Sequence, residues 1–241
     1  PNPENLTVEK IDELKGNAVK AYENIKYVTD LAEAVKDADL VIEAMAENPQ
    51  AKIEFYEKLA GVLPEKTVIA TNSSSMLPSA FAQYTGRPEK YLALHFANNI
   101  WRGNTAEVMG HAGTEQKYYD AVAEFAGQIQ MVPLLMKKEQ PGYILNSMLI
   151  PFLRSAETLL AREVADPQTI DLTWKIGTGA PKGPFEILDI VGLTTAYHII
   201  MNSHDASDPA TDNGKIAAIL KKYIDEGKTG INAGEGFYKY N

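Results

Sequence analysis

The chain has 241 residues, a net charge of −9, 45% hydrophobic residues and no cysteine. That is enough for one large or two modest domains with an apolar core, while the acidic balance argues against a nucleic-acid partner, whose phosphates need a basic face. The lack of cysteine excludes disulfides and thiolate metal sites, and no apolar run reaches the roughly 20 residues of a membrane span, so a cytoplasmic protein with no membrane partner is expected.

Behind Thr7, a residue suited to capping, Val8, Ile11, Leu14, Val19 and Tyr22 recur at near-helical spacing and predict a helix over 7–23, weakened at Gly16. IKYVTD (25–30) predicts a short strand and 31–36 a helical turn. ADLVIEAM (38–45) is a near-continuous apolar run, the mark of a buried parallel strand. A helix from about 49 to 62 opens on Pro49, which suits a first helical position. Further strands are expected at TVIATN (67–72), YLALHF (91–96), 106–109 and MVPLLMKK (131–138), with helices near 79–83 and over 114–129. Strands alternating with helices predict a parallel sheet.

After Gln140-Pro141-Gly142 the pattern changes to helices only: 143–163, one opening on Asp166-Pro167, 194–203 and 214–226, with FYKY at 237–240 as a last strand. The expectation is α/β followed by all-α, with domains at 1–139 and 140–241.

Ligands of a parallel sheet sit beyond the carboxyl ends of its strands. Glu43 and Glu47 follow the first of the long strands, Asn72 and Ser73-Ser74-Ser75 the next, and His95 ends YLALHF. An imidazole is the side chain best suited to take a proton near neutral pH. His95 alone reads as well as a satisfied core histidine. Glu107, on the next strand, is in a position to return and face it, fixing its tautomer and balancing its charge; by itself it reads as a solvated edge carboxylate. Ser74 is a donor to a carbonyl or hydroxyl oxygen, or one more serine of a loop. Asn146, early on the long second-domain helix, points into a cleft or belongs to a helix start. Glu47 and Lys52 read as a surface ion pair, worth little. GTGAPKGP (177–184) follows a helix and reads as a turn rather than a phosphate loop. His111, His198 and His204 are scattered, so no metal site is expected.

DLVIEA (39–44) with Glu47-Asn48, ATNSSS (70–75), LHF with Asn98 three residues after His95, Glu107, PGYILN (141–146), GAPKGPFEILDIVGL (179–193) and GEGFYKY (234–240) together resemble the 3-hydroxyacyl-CoA dehydrogenases, with short-chain bacterial 3-hydroxybutyryl-CoA dehydrogenases the best likeness. The motifs stand in family order over nearly the whole chain. The resemblance implies a Rossmann-type sheet domain followed by a helical domain that makes a homodimer, and NAD-dependent oxidation of a 3-hydroxyacyl-CoA, with NADP left open. It implies that His95 is the general base and Glu107 its orienting partner. Ser74 and Asn146 would contact the substrate, Ser74 also lying near the nicotinamide; Glu47, Lys52 and Asn98 would contact NAD.

The departures matter too. Where the family has LHFFNP and an apolar stretch, this chain has Ala97, Asn99 and Trp101-Arg102-Gly103-Asn104, so a different acyl pocket is expected; Arg102 reads either as a partner for an anionic substrate group or as a solvent-facing residue. The related alternatives are a 3-hydroxy acid dehydrogenase acting without CoA and a non-catalytic binding or dimerisation module. The family's opening strand, glycine loop, helix and second strand have no counterpart after Pro1; about 40 to 60 further residues are expected ahead of it, and unpaired sheet edges without them.

Overall fold

The computed structural model describes residues 7–98 and 100–240. Two compact units, Pro1–Pro141 and Gly142–Asn241, divide the chain.

The first unit starts with α1 (Val8–Asn24), whose cap is Thr7: its side chain accepts from the Lys10 N–H. None of its residues is buried. Residues 25–30 form no strand, contrary to the expectation. Ile25, Tyr27 and Val28 are exposed, so the alternation has no sheet neighbour to pay for it, and Asp30 instead caps α2 (Leu31–Val35). β1 (Leu40–Glu43), α3 (Pro49–Ala60) and β2 (Val68–Thr71) follow. The expected helix at 79–83 is two short 3₁₀ turns, Pro78–Ala80 and Ala82–Tyr84. β3 (Tyr91–Phe96), β4 (Thr105–Gly110), α4 (Gln116–Gln128) and β5 (Val132–Leu135) complete the unit.

The strands form one five-stranded sheet in the order β1-β2-β3-β4-β5. It is parallel except at one place: β3 and β4 pair antiparallel, because the 97–104 loop turns the chain straight back instead of crossing over. Side chains alternate between the two faces. Val68, Ala70, Leu92, Leu94, Ala106 and Val108 point to one face and pack on Val122 and Ala126 of α4. Ile69 and Tyr91 point to the other and pack on Tyr56 and Leu59 of α3. By the same alternation Glu43, Thr71, His95 and Glu107 all belong to the α3 face.

The second unit comprises α5 (Tyr143–Ala161), α6 (Pro167–Thr178), α7 (Pro184–Val191), α8 (Leu193–Met201) and α9 (Asp212–Asp225) around Leu153, Ile170, Phe185, Leu188, Leu193, Ile200, Leu220 and Phe237. Asp166 caps α6 as its spacing predicts, accepting from the Thr169 N–H at 2.7 Å. α7 was not expected: its start looks like a turn, but Pro184 is a first helical residue and the buried Asp171 carboxylate accepts from the Phe185 and Glu186 N–H groups. Gly179 closes α6 with φ 73°, which fits the turn reading of 177–184. FYKY is not a strand; only isolated bridges, Gly230 with Glu235 and Glu235 with Lys239, are made there. The chain is held instead by the Asp189 carboxylate, which accepts from the Phe237 and Tyr238 N–H groups and the Tyr240 hydroxyl. No described helix is long and apolar enough to cross a membrane.

Candidate active site

The hairpin of β3 and β4 sets His95 directly opposite Glu107 in the ladder. Cross-strand partners on one face are close enough to interact. Here His95 Nδ1 lies 3.0 Å from Glu107 Oε2, with the two residues 4% and 2% exposed. On the other side of the ring, Nε2 lies 3.2 Å from the Ser74 hydroxyl oxygen. An ionised carboxylate can only accept, so the proton on Nδ1 goes to Glu107 and Nε2 presents its lone pair to Ser74. Ser74 is exposed, at the loop beyond the carboxyl end of β2. The arrangement is one that can take up a proton at Nε2 and spread the resulting charge to a buried carboxylate.

A second cluster lies on the same sheet face. Glu43 is 3% exposed and accepts from Lys52 Nζ at 2.7 Å, the Tyr56 and Thr71 hydroxyls at 2.7 Å each and the Met45 N–H at 2.6 Å. Burial pushes its carboxyl up, but the Lys52 ammonium and the other three donors together hold it below the usual carboxylate range. This corrects the expectation for Lys52. Its side chain is turned into the unit, fully buried, and its ammonium pairs with Glu43 nine residues earlier rather than with Glu47 at the surface. The reason is helical phase: Lys52 and Tyr56, one turn apart on α3, both face the sheet.

Glu47 instead reaches the serine loop. Its carboxylate accepts from the Ser74 N–H at 3.1 Å and from the Ser73 and Ser75 hydroxyls at 2.8 and 2.9 Å. Asn98 is exposed at the start of the 97–104 loop, as are Trp101 and Arg102; Asn99 lies outside the described residues. Asn146 sits in the first turn of α5 in the second unit, where its N–H donates to the Gly142 carbonyl. The structure therefore brings His95, Glu107, Ser74 and Glu47 into one chain of contacts. It gives tasks to Asn72 and Ser73, which the sequence already places at this edge, and adds Tyr56 and Thr71, which sequence reasoning passed over. Asn72 accepts the Phe96 N–H at 2.9 Å and ties the end of β3 to β2. Tyr56 and Thr71 carry no sequence signal beyond lying within a helix and a strand already expected.

These polar groups lie at the edge of the sheet where a parallel sheet binds its ligands. Glu47 has about four lone-pair positions of which three accept from the serine loop, and Ser74 and Asn98 are both exposed.

Known proteins resemble this chain along most of its length. Residues 5–140 match the family described as 3-hydroxyacyl-CoA dehydrogenase, NAD binding domain, and residues 142–240 its C-terminal domain. The chain is 36% identical over 223 residues to the mitochondrial hydroxyacyl-coenzyme A dehydrogenase of Homo sapiens, covering 92% of this chain and 70% of that one. It is 32% identical over 216 residues to a probable 3-hydroxybutyryl-CoA dehydrogenase of Deinococcus radiodurans, covering 90% and 76%. Among solved structures, one described as substrate-directed dual catalysis of dicarbonyl compounds by diketoreductase is 56% identical, with a TM-score of 0.87 over 93% of this chain and 78% of that one. The (S)-3-hydroxybutyryl-CoA dehydrogenase of Ralstonia eutropha is 27% identical, with a TM-score of 0.78 over 99% and 80%. A mostly parallel sheet followed by a helical unit matches the fold of these solved structures, and the chain belongs to the 3-hydroxyacyl-CoA dehydrogenase family of NAD-dependent oxidoreductases.

Proposed function

We propose that the chain oxidises a 3-hydroxyacyl-CoA to the 3-oxoacyl-CoA, or runs the reverse, with His95 as the proton-transfer group. The single observation carrying this reading is the Glu107–His95–Ser74 relay, with contacts of 3.0 and 3.2 Å. NAD, when bound, supplies the hydride acceptor. His95 takes the proton of the C3 hydroxyl at Nε2. Glu107 keeps Nδ1 as the donor and offsets the charge of the imidazolium. Ser74 donates to the substrate oxygen, and Asn146 of the second unit contacts the substrate in the same reading. Glu47 and Asn98 face NAD. Residues 1–139 form the NAD side and 140–241 the substrate side, which also makes a homodimer. Both reactants are water-soluble, and we place the reaction in the cytoplasm.

His95→Gln tests the assignment. Steady-state kinetics should show kcat lower by about 10²- to 10⁴-fold, the usual worth of a positioned general base, with NAD affinity little changed. Turnover near that of the parent enzyme would overturn it.

A second reading keeps the chemistry and changes the substrate to a dicarbonyl compound or 3-hydroxy acid without CoA. It is favoured by the 56% identity to a structure described as a diketoreductase and by the Trp101–Asn104 segment, which departs from the family pattern. kcat/KM for acetoacetyl-CoA measured beside that for a free diketo ester separates the two. A higher value for the free compound would move the assignment to the second reading.

A further inference from the structure

We propose that Glu47 is a positioning residue that acts on the reaction through Ser74. The proposal rests on the reading of His95 and Ser74 above and gives Glu47 a task beyond touching the cofactor.

The serine loop after β2 is held from outside itself. Glu47 Oε1 accepts the Ser74 N–H at 3.1 Å, while Oε2 accepts the Ser73 hydroxyl at 2.8 Å and the Ser75 hydroxyl at 2.9 Å. One carboxylate thus binds three consecutive residues, with Ser74 in the middle. The middle residue is the one whose hydroxyl lies 3.2 Å from His95 Nε2. Carboxylate acceptors make charge-assisted bonds, the stronger kind, so Glu47 ties the Ser74 backbone firmly.

The support under Glu47 is itself rigid. Glu43 Oε1 accepts the Met45 N–H at 2.6 Å and Lys52 Nζ at 2.7 Å, which fixes the chain leaving β1. Asn48 then caps α3, accepting the Ala51 N–H at 3.0 Å, while its own N–H donates to the Ala46 carbonyl at 2.7 Å. Glu47 lies between a buried ion pair and a capped helix start. The loop it grips is anchored at its other end too, because the Ser73 N–H donates to Thr71 Oγ1 and Thr71 donates to Glu43. The buried Lys52–Glu43 pair therefore stands behind both ends of the contact, which gives the inward-turned lysine a place in the same device.

A carboxamide at position 47 can accept at one oxygen only and presents an NH₂ to the donors of the loop. The loop must then shift. Misplacement of a reacting or donating group by about 1 Å costs up to about 10²-fold in rate.

The test is a double-mutant cycle in the full chain with Glu47→Gln and Ser74→Ala, reading kcat at saturating NAD together with NADH affinity by fluorescence titration. Glu47→Gln is expected to lower kcat by about 10- to 100-fold while NADH affinity changes by less than about threefold, and to lower kcat by less than about twofold further when Ser74 is already alanine. Two results overturn the proposal: an unchanged kcat with NADH bound at least about tenfold more weakly, which makes Glu47 a cofactor contact alone, or effects of the two substitutions that multiply. If Ser74→Ala by itself leaves kcat unchanged, it is the role of Ser74 in the proposed function that fails, a result distinct from the other two. Should Glu47→Gln not fold, Ser75→Ala removes one of the three bonds and is read in the same cycle, where a kcat equal to the parent's also counts against the proposal.

Discussion

The two units bury their carboxylates in opposite ways. In the first, Glu43 and Glu107 meet mainly side chains: an ammonium, two hydroxyls and an imidazole, with the Met45 N–H as the one backbone donor named. In the second, Asp171 and Asp189 meet backbone N–H groups from segments far along the chain, each with a tyrosine hydroxyl added. The electrostatic outcome differs accordingly. Glu43, with Lys52 against it, is held below the usual carboxylate range, whereas burial carries Asp171 above it despite its N–H and Tyr238 donors. A carboxylate given a cation stays charged and sets up a site; one given only dipoles ties two stretches of chain together.

The backbone ties also explain glycines in two motifs. A Cβ on Gly183 would lie 2.3 Å from Asp171 Cγ, and one on Gly236 would lie 2.1 Å from Asp189 Oδ1. Both positions must lack a side chain for the carboxylate to reach the amides.

The contrast is most sharply tested at Glu107. Glu107→Gln should lower kcat by about 10²-fold or more while leaving the unfolding midpoint of the second unit unmoved, since in the proposed function its task is to orient one ring. Lys52→Met comes next. It leaves a buried carboxylate without its cation, and denaturant unfolding should show a loss of about 3–5 kcal/mol. A near-neutral result would mean that the three remaining donors are enough, and the distinction between cation and dipole would lose its force. Asp189→Ala should cost about 3 kcal/mol by stranding the Phe237 and Tyr238 N–H groups, with the loss followed through Trp174 in the second unit and little change in kcat/KM.

Glu157 gives the smallest effect and the clearest sign. It is 6% exposed, lies beside Leu153 and Leu188, and its Oε1 has no hydrogen-bond partner among the described residues. Burial pushes its carboxyl up to about 7, against a pull downward from Arg154. A carboxyl whose folded value lies above its unfolded one binds more protons when folded, so its contribution to stability falls as pH rises from about 4.5 to about 7 and is at its least favourable above that. Glu157→Gln should therefore be more stable than the parent at pH 8, by at most about 3 kcal/mol, with the advantage fading toward pH 5. Parallel unfolding curves at both values would count against this.

How much of this was legible in the sequence depended on what each residue's placement needs. The alternation of strands and helices was readable because apolar runs and caps such as Thr7 and Asp166 act within a few residues. The contact between His95 and Glu107 was readable because both lie on strands joined by one short loop. Lys52 was misplaced because its direction depends on which face of α3 meets the sheet, and that is decided by the packing of Tyr56 and Leu59 on Ile69 and Tyr91. The strands expected at 25–30 and 237–240 have suitable residues but no partner strand, and partners are not written into a local pattern. α7 was hidden because its start is capped by Asp171, far back in the chain. The antiparallel step between β3 and β4 departs from the parallel sheet that alternating strands and helices predict, because the period-two signal of a strand does not carry its direction; the short loop that lets Glu107 return to His95 was its one trace.

The hairpin of β3 and β4 separates two kinds of change. Because Glu107 meets His95 by ladder register, residues added at the 97–104 tip leave the contact where it is, and doubling that loop costs only about 0.6 kcal/mol in closure entropy. Removing a single residue inside β4 is different in kind. If the residue lies ahead of Glu107, the loss turns Glu107 to the opposite face, toward Leu92, Leu94 and the α4 residues Val122 and Ala126, and brings an apolar neighbour to the imidazole. The tip is thus free to vary in length and composition, and the stem is not. Insertion or replacement at the exposed Trp101 and Arg102 leaves the pair beneath in its register.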